Sequence, residues 1–386
     1  MSVSRRSFVR TLGLGTTALS TSFVTGRAGD AAAFGGATAA AEPSEIIRLS
    51  NNENNRGPGA KALEAVHASI GPGNGRGYPP DHVNDLTDAI AAKWSVNRTN
   101  VIVGTGSGPI LEGSVRAFCA ADKGLVMASP TYGTPENMAK RLGFPVKSIP
   151  VDRNMQVDLN AMADAAKGAG LVFLVNPNNP TGAARTGAEI EQFVRRIKRE
   201  SPSTAILLDE AYIDYAHDPA ITTAKPLAME LPGVFITRSF SKAHGMAGMR
   251  LGYAIGQEAT VQAIPKVWQL GSVNTFTAAA GIASLKDTQH IADEVAENAR
   301  VREFTIKSFR DMGYTVVDSH ANCIFVDVKS SAPAFRDACL AQKIQVGRDF
   351  PPYEKTHTRI TLGTMDQMRQ AVTVFRSVLS KKATAQ

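Results

Sequence analysis

Six short apolar runs, at 101–103, 125–128, 171–175, 205–208, 234–236 and 251–255, alternate with helix-like segments through the middle of the chain. Runs this short and this free of polar alternation fit strands covered on both faces, the pattern of a largely parallel α/β sheet with helices on either side. One intervening segment shows how such helices are specified. Thr186 and Glu189 have capping-box spacing, and Ile190, Phe193, Val194 and Ile197 fall on one helical face. In open sheets of this kind ligands sit beyond the carboxyl ends of the strands, so the residues just after each run are the candidates for function.

The run at 234–236 leads into Ser239-Phe-Ser-Lys242-Ala-His-Gly-Met-Ala-Gly-Met-Arg250-Leu-Gly252. A lysine just past a buried strand, among small residues and hydroxyls, can be desolvated enough to lose its proton and act as an amine nucleophile, although a charged lysine in a surface loop would have the same spacing. Arg250 offers a fixed guanidinium to a phosphate, and Ser239 a hydroxyl to the same group. An amine for an aldehyde beside an arginine for a phosphate suggests pyridoxal phosphate. The first run is followed by Gly104-Thr-Gly106-Ser107-Gly108 and a helix expected over 110–118, where backbone N–H groups and the Ser107 hydroxyl make an anion site. The same glycines would also serve a tight turn with no ligand. After the second run Tyr132 places a ring where it can stack on a planar cofactor or pack in the core. Asn176-Pro-Asn-Asn179-Pro-Thr-Gly182 closes the third, with the Asn179 amide able to donate to a phenolate oxygen. Asp209 ends the fourth as a half-buried carboxylate that needs a partner; a pyridinium N–H is one, a turn cap another. Tyr212 follows within reach of the same ligand.

The segments 176–182, Asp-Glu-Ala-Tyr at 209–212, and Ser-Phe-Ser-Lys…Gly-Met-Arg-Leu-Gly at 239–252 resemble the fold-type I pyridoxal-phosphate aminotransferases of class I/II, and within them the histidinol-phosphate aminotransferase branch. Asn52-Glu53-Asn54 with Gly57-Pro58, Gly77-Tyr78-Pro79, Pro130-Thr131-Tyr132, and Arg359 to Thr364 extend the likeness over residues 45–380. The resemblance implies a mainly parallel, seven-stranded-type sheet with helices on both faces plus a smaller α+β domain. It divides the chain into a large cofactor domain, 81–286, and a small domain, 287–386, that packs with the segment 44–80. It implies that Lys242 condenses with the cofactor aldehyde and later moves the substrate Cα proton. By the same likeness Asp209 keeps the pyridine nitrogen protonated, Tyr212 and Asn179 hold the phenolic oxygen, and Tyr132 stacks on the ring. Gly106, Ser107, Ser239 and Arg250 bind the phosphate, and Tyr78 reaches the phosphate of a neighbouring subunit, so a homodimer is implied. Arg359 pairs with the substrate α-carboxylate, and Arg348 either stands near the substrate side chain or is an exposed loop charge. The implied reaction moves an amino group between an L-amino acid, or a histidinol phosphate-like amine, and a 2-oxo acid. Decarboxylases and lyases of the same fold use nearly the same residues; a binding protein without turnover is the remaining alternative, and Lys242, Asp209 and Arg250 together argue against it.

Four departures from the branch bear on the substrate. Gly108-Pro109 replaces Asp-Glu, Asn55-Arg56 replaces Pro-Tyr, Pro135 stands for a tyrosine, and His244 for an aromatic. The resemblance sets these on the substrate side of the cleft, which leaves histidinol phosphate, neutral, aromatic and modified amino acids all open.

The N-terminus is a separate matter. Arg5-Arg6 precedes a weakly apolar segment, 12–24, broken by Gly, Ser and Thr. A stable membrane anchor needs roughly 20 mostly apolar residues, so this segment is too short and too polar to be one. It is similar to a twin-arginine export signal, with small residues at 37–41 offering cleavage before Glu42. Residues 1–41 are therefore set apart from the fold, and a periplasmic or extracellular location in a bacterium is expected. Removing them takes four arginines and one aspartate from a chain of net charge +7, leaving too little and too dispersed a charge for nucleic acid. Cys119, Cys323 and Cys339 have no metal-ligand spacing and are read as buried thiols, so no metal is expected.

Overall fold

A computed structural model describes residues 46–76 and 80–383; the leader 1–41 and Tyr78 lie outside the described residues. β1 (Ile47–Leu49) opens this span. Seven strands then form one sheet: β2 (Val101–Gly104), β3 (Leu125–Ser129), β4 (Val146–Pro150), β5 (Leu171–Val175), β6 (Ala205–Asp209), β7 (Val234–Ser239) and β8 (Gly252–Gly256). Their order is β2-β8-β7-β6-β5-β3-β4, parallel throughout except for β8, which runs antiparallel to both of its neighbours.

Every residue of β5, β6 and β8 is buried, which is why these segments read as unbroken apolar runs. Alternate side chains serve two cores. On one face Val172, Leu174, Ile206 and Leu208 meet Ile190, Phe193, Val194 and Ile197 of the helix Gly187–Glu200. That helix carries the expected capping box: the Thr186 hydroxyl accepts from the Glu189 N–H, and the Glu189 carboxylate from the Thr186 N–H. On the other face Leu171, Phe173, Val175 and Leu207 meet Ile110, Leu111 and Val115 of the helix Gly108–Phe118. β4 is not one of the apolar runs because it is an edge strand: Lys147 and Ser148 are exposed, and Pro150, with no N–H to donate, is tolerated there.

A further core gathers around β9 (Thr315–Val316), β10 (Cys323–Asp327), β11 (Ile344–Val346) and β12 (His357–Thr361). Antiparallel β12-β10-β9 packs Ile324, Val326 and Ile360 against Phe309, Phe335 and Phe375 from three helices. β1 pairs in parallel with β11, placing Leu49 in this core, so the chain that follows β1 arrives beside β12. The fold is thus the expected type I α/β architecture with a smaller α+β part.

Candidate active site

Four parallel strands end on one edge of the large sheet, and the loops leaving them converge. Tyr132 follows β3, Asn179 follows β5, Asp209 closes β6 with Tyr212 just beyond, and Ser239 closes β7 with Lys242 just beyond. Together with Ser107, Gly108 and Arg250 they line one cavity of about 310 Å³, joined by Asn51 and Glu53 from the segment after β1.

The loop after β5 is fixed by its own asparagines. Asn176 spans to Arg185, donating to its carbonyl at 3.0 Å and accepting its N–H at 2.8 Å. Asn178 donates to the Pro130 carbonyl at 3.1 Å and accepts the Thr131 hydroxyl at 2.6 Å, tying this loop to the one that carries Tyr132. Only Asn179 of the three faces the cavity. The peptide bonds before Pro177 and Pro180 are cis.

Asp209 and Glu210 are adjacent, buried, and turned to opposite duties, as neighbours at a strand end must be. Glu210 accepts from the Ala224 N–H at 2.7 Å, the Thr223 hydroxyl at 2.8 Å and Arg238 at 3.3 Å, a structural role. Asp209 lines the cavity, accepting from the Thr237 hydroxyl at 2.9 Å. Burial pushes its carboxyl up to about 6, against the pull of Thr237 and the Ala211 N–H. Lys242 donates from Nζ to the Asn52 carbonyl at 2.9 Å and lies 5.3 Å from the centre of the Tyr212 ring. Burial lowers its ammonium to about 8 and Arg359 adds to this, while Cys323, Glu53 and Asp209 oppose it. An amine so placed is within reach of its neutral, nucleophilic form near neutral pH.

The anion end of the cavity is built differently. Ser107 is the N-terminal cap of the helix Gly108–Phe118, and its hydroxyl makes no capping bond. Arg250 stands in the left-handed region at φ 60° and donates to the Ala247 carbonyl at 2.9 Å. Its guanidinium lies where a Cβ on Gly106 would be, and Gly106 itself has φ +86°; only glycine satisfies both conditions. Ser239 accepts the Ser241 N–H at 3.1 Å.

Arg359, in β12, is 6 % exposed. It donates through Nη1 to Asn179 Oδ1 at 2.8 Å and through Nη2 to the Ser50 carbonyl, and its Nε is buried without a partner. Arg348 is exposed, its guanidinium 4.5 Å from the centre of the Phe350 ring and that of Arg359 4.9 Å from the same ring. Two guanidinium groups flanking one ring set an electropositive wall. Of the departures noted above, His244 does not reach the cavity: it is buried against Phe240, bonds Ser284 at 2.7 Å, and is held down to about 4 chiefly by burial. Asn55 and Arg56 line a separate cavity with Glu294 and Asn322.

Asn52, of the Asn52-Glu53-Asn54 motif, and Cys323, a buried thiol as expected, also border the site. Asn52, fully buried at φ 54°, bonds both Lys242 and Tyr212. Cys323 lies next to it, 3.2 Å from Asn52 Nδ2.

These residues fit pyridoxal phosphate. Gly106 leaves room for the Arg250 guanidinium at the anion end, Asp209 supplies a buried carboxylate for a ring N–H, and Lys242 lines the same cavity.

Residues 44–375 match the protein family described as aminotransferase class I and II. The chain is 33% identical over 348 residues to a histidinol-phosphate aminotransferase of Moorella thermoacetica, covering 87% of this chain and 86% of that one. It is 30% identical over 329 residues to an aromatic amino acid aminotransferase of Streptomyces avermitilis, covering 85% and 89%. Its fold superimposes with a TM-score of 0.80 on histidinol-phosphate aminotransferase from Sinorhizobium meliloti in complex with pyridoxal-5′-phosphate, at 25% identity over 87% of this chain and 91% of that one.

Proposed function

We propose, from the premise that the chain belongs to the class I and II aminotransferases, that the cavity beside Lys242 is where it exchanges an amino group between an L-amino acid and a 2-oxo acid. The chain is a pyridoxal-phosphate-dependent transaminase. The observation that carries the assignment of the site is the sharing of one cavity by a desolvated Lys242, a buried Asp209 and the Arg250 guanidinium.

Pyridoxal phosphate, when bound, supplies an electron-withdrawing ring that makes the substrate Cα proton removable. Asp209 would hold the proton on the ring nitrogen, for which its burial fits it, as does the fact that among the described residues no cationic side chain hydrogen-bonds it. Ser107, Ser239, Arg250 and the first-turn N–H groups of the helix Gly108–Phe118 take the phosphate. Tyr212 and Asn179 donate to the phenolic oxygen; Asn179 is oriented for this because Arg359 occupies its Oδ1 and leaves its Nδ2 to donate. Lys242 would hold the cofactor and, as a neutral amine, would take the substrate Cα proton at Nζ. Arg359, tied through Nη1 to Asn179 of the cavity wall, would pair with the substrate carboxylate, a group that every amino acid carries. Arg348 shares the Phe350 ring with Arg359 but is exposed and does not line the cavity, as an exposed loop charge would be.

A single-turnover test separates transamination from decarboxylation. With one amino acid and no acceptor, the loaded enzyme should yield one equivalent of 2-oxo acid and the aminated cofactor; carbon dioxide in place of the oxo acid would contradict the assignment. The named relatives act on histidinol phosphate and on aromatic amino acids, so both belong in the donor panel.

We also propose that the protein is exported and works as a homodimer. The Arg5-Arg6 pair and weakly apolar 12–24 segment support export, and the family motif at Tyr78 supports a shared site. Among the described residues no helix is long and apolar enough to cross a membrane. The separate core around β10 and β12, which carries Arg359, supports a small domain from about residue 287 that closes over the substrate.

A further inference from the structure

Asn52 bonds both Lys242 and Tyr212, through its carbonyl and its side-chain amide respectively. Its carbonyl accepts Lys242 Nζ at 2.9 Å and Asn322 Nδ2 at 3.1 Å. Its amide nitrogen Nδ2 lies 3.2 Å from the Tyr212 hydroxyl and 3.2 Å from Cys323 Sγ. The other end of the side chain is held by Thr361, whose hydroxyl accepts the Asn52 backbone N–H at 2.8 Å and donates its single proton to Oδ1 at 3.0 Å. With the Thr361 hydroxyl donating to Oδ1, the end of the Asn52 amide that faces Tyr212 is the NH2 donor.

This has a consequence for Tyr212. A phenol has one proton, and when its oxygen accepts from Asn52 that proton must go elsewhere. Tyr212 lines the cavity, so the remaining direction is into it. We propose that Asn52 is a positioning residue that sends the Tyr212 proton toward the cofactor's phenolic oxygen, a role that rests on the transaminase reading of the site. The left-handed backbone at φ 54° serves the same end, since it turns the carbonyl to Lys242 while the side chain reaches Tyr212; asparagine is among the few residues that tolerate that conformation.

Donation to the phenolic oxygen favours its anionic form and so holds down the pKa at which the lysine-bound cofactor loses its proton. The charged and titratable groups facing this point are Lys242, Asp209, Glu53, Cys323 and Arg359, and none of them is altered in the test. The test is a pH titration of the visible band of the cofactor-loaded protein for wild type, Asn52→Gly, Tyr212→Phe and the Asn52→Gly/Tyr212→Phe pair. Glycine keeps the carbonyl and the positive φ while removing the amide.

Asn52→Gly should raise the titration midpoint by roughly half a unit to one unit, about three- to tenfold in proton affinity. In the Tyr212→Phe background the same substitution should add less than about a third of that shift, because the proton it steers is gone. Asn52→Asp keeps the size and the backbone but presents only acceptors, so it should draw the Tyr212 proton away and raise the midpoint further; it stands independently if glycine loosens the loop. An unmoved midpoint in Asn52→Gly or Asn52→Asp, or a glycine shift of full size without the Tyr212 hydroxyl, would overturn the proposal. Whether wild type shows the band at all tests the cofactor site, and the differences between variants test Asn52 alone.

Discussion

Lys242 is asked to be buried and basic at once, and the cost of that is measurable. Its ammonium is lowered from its ordinary value near 10.5 to about 8, first by burial. As the pH rises from 8 to 10.5 the folded protein has given up this proton while the unfolded chain still holds it, so stability should rise through that window. With the cofactor removed, Lys242→Met should melt higher than wild type at pH 7, by on the order of 1–2 kcal/mol, and thermal melts at pH 7, 9 and 10.5 should show the gap closing. A gap that stays constant with pH would mean the lysine is not desolvated. Asp209→Ala leaves the ring N–H without its carboxylate and should lower kcat by about 10²-fold or more, read in steady-state assays at saturating cofactor. Lys242, Asp209 and Arg250 were legible because the chemistry demands those residue types just past buried strands. The contacts of Asn52 were not, since they join positions such as Asn52 and Lys242, 190 apart, which no local pattern encodes. His244 illustrates the converse: a departure in sequence next to Lys242 turns out to face Ser284 in the core.

Elements set these residues with little slack. The turn after β2 brings Gly106 under Arg250, and β8 passes so close that a Cβ on Gly252 would strike the Ser107 backbone. Gly106→Ala should therefore displace the Arg250 guanidinium and raise the cofactor dissociation constant about tenfold or more, measured by equilibrium titration of the cofactor-free protein. Retained affinity would remove Arg250 from the phosphate site. The loop after β5 depends on Asn178, whose loss to alanine leaves the Pro130 carbonyl and Thr131 hydroxyl unpaired. Chemical denaturation should show a loss of about 1–3 kcal/mol. Strand positions were readable from apolar runs, but the direction of β8 was not. The segment between β7 and β8 holds one 3-10 turn, Ala247–Met249, and no crossover helix, so the chain can only return antiparallel. Strand β4 was missed for the opposite reason, since its half-exposed edge position lets it be polar.

At the scale of the whole molecule, the six apolar runs and the ordered motifs were enough to specify a type I fold, while the packing of β1 against β11 depends on distant chain and shows no local sign. Sedimentation of the mature protein at micromolar concentration should give twice the chain mass, and Tyr78→Phe should weaken cofactor binding without changing that mass; a fully active monomer would remove Tyr78 from a shared site. Replacing Arg5-Arg6 by a lysine pair should hold the protein in the cytoplasm at full length, as fractionation and mass measurement would show. The measurement that bears most directly on the central claim is the visible spectrum of the mature protein with pyridoxal phosphate, beside Lys242→Ala, before and after single amino acids are added. The expected result is a band of lysine-bound cofactor in wild type, absent from the variant, that a particular amino acid bleaches as an equivalent of 2-oxo acid appears. No such band in wild type, or one that Lys242→Ala retains, would contradict the assignment of this cavity.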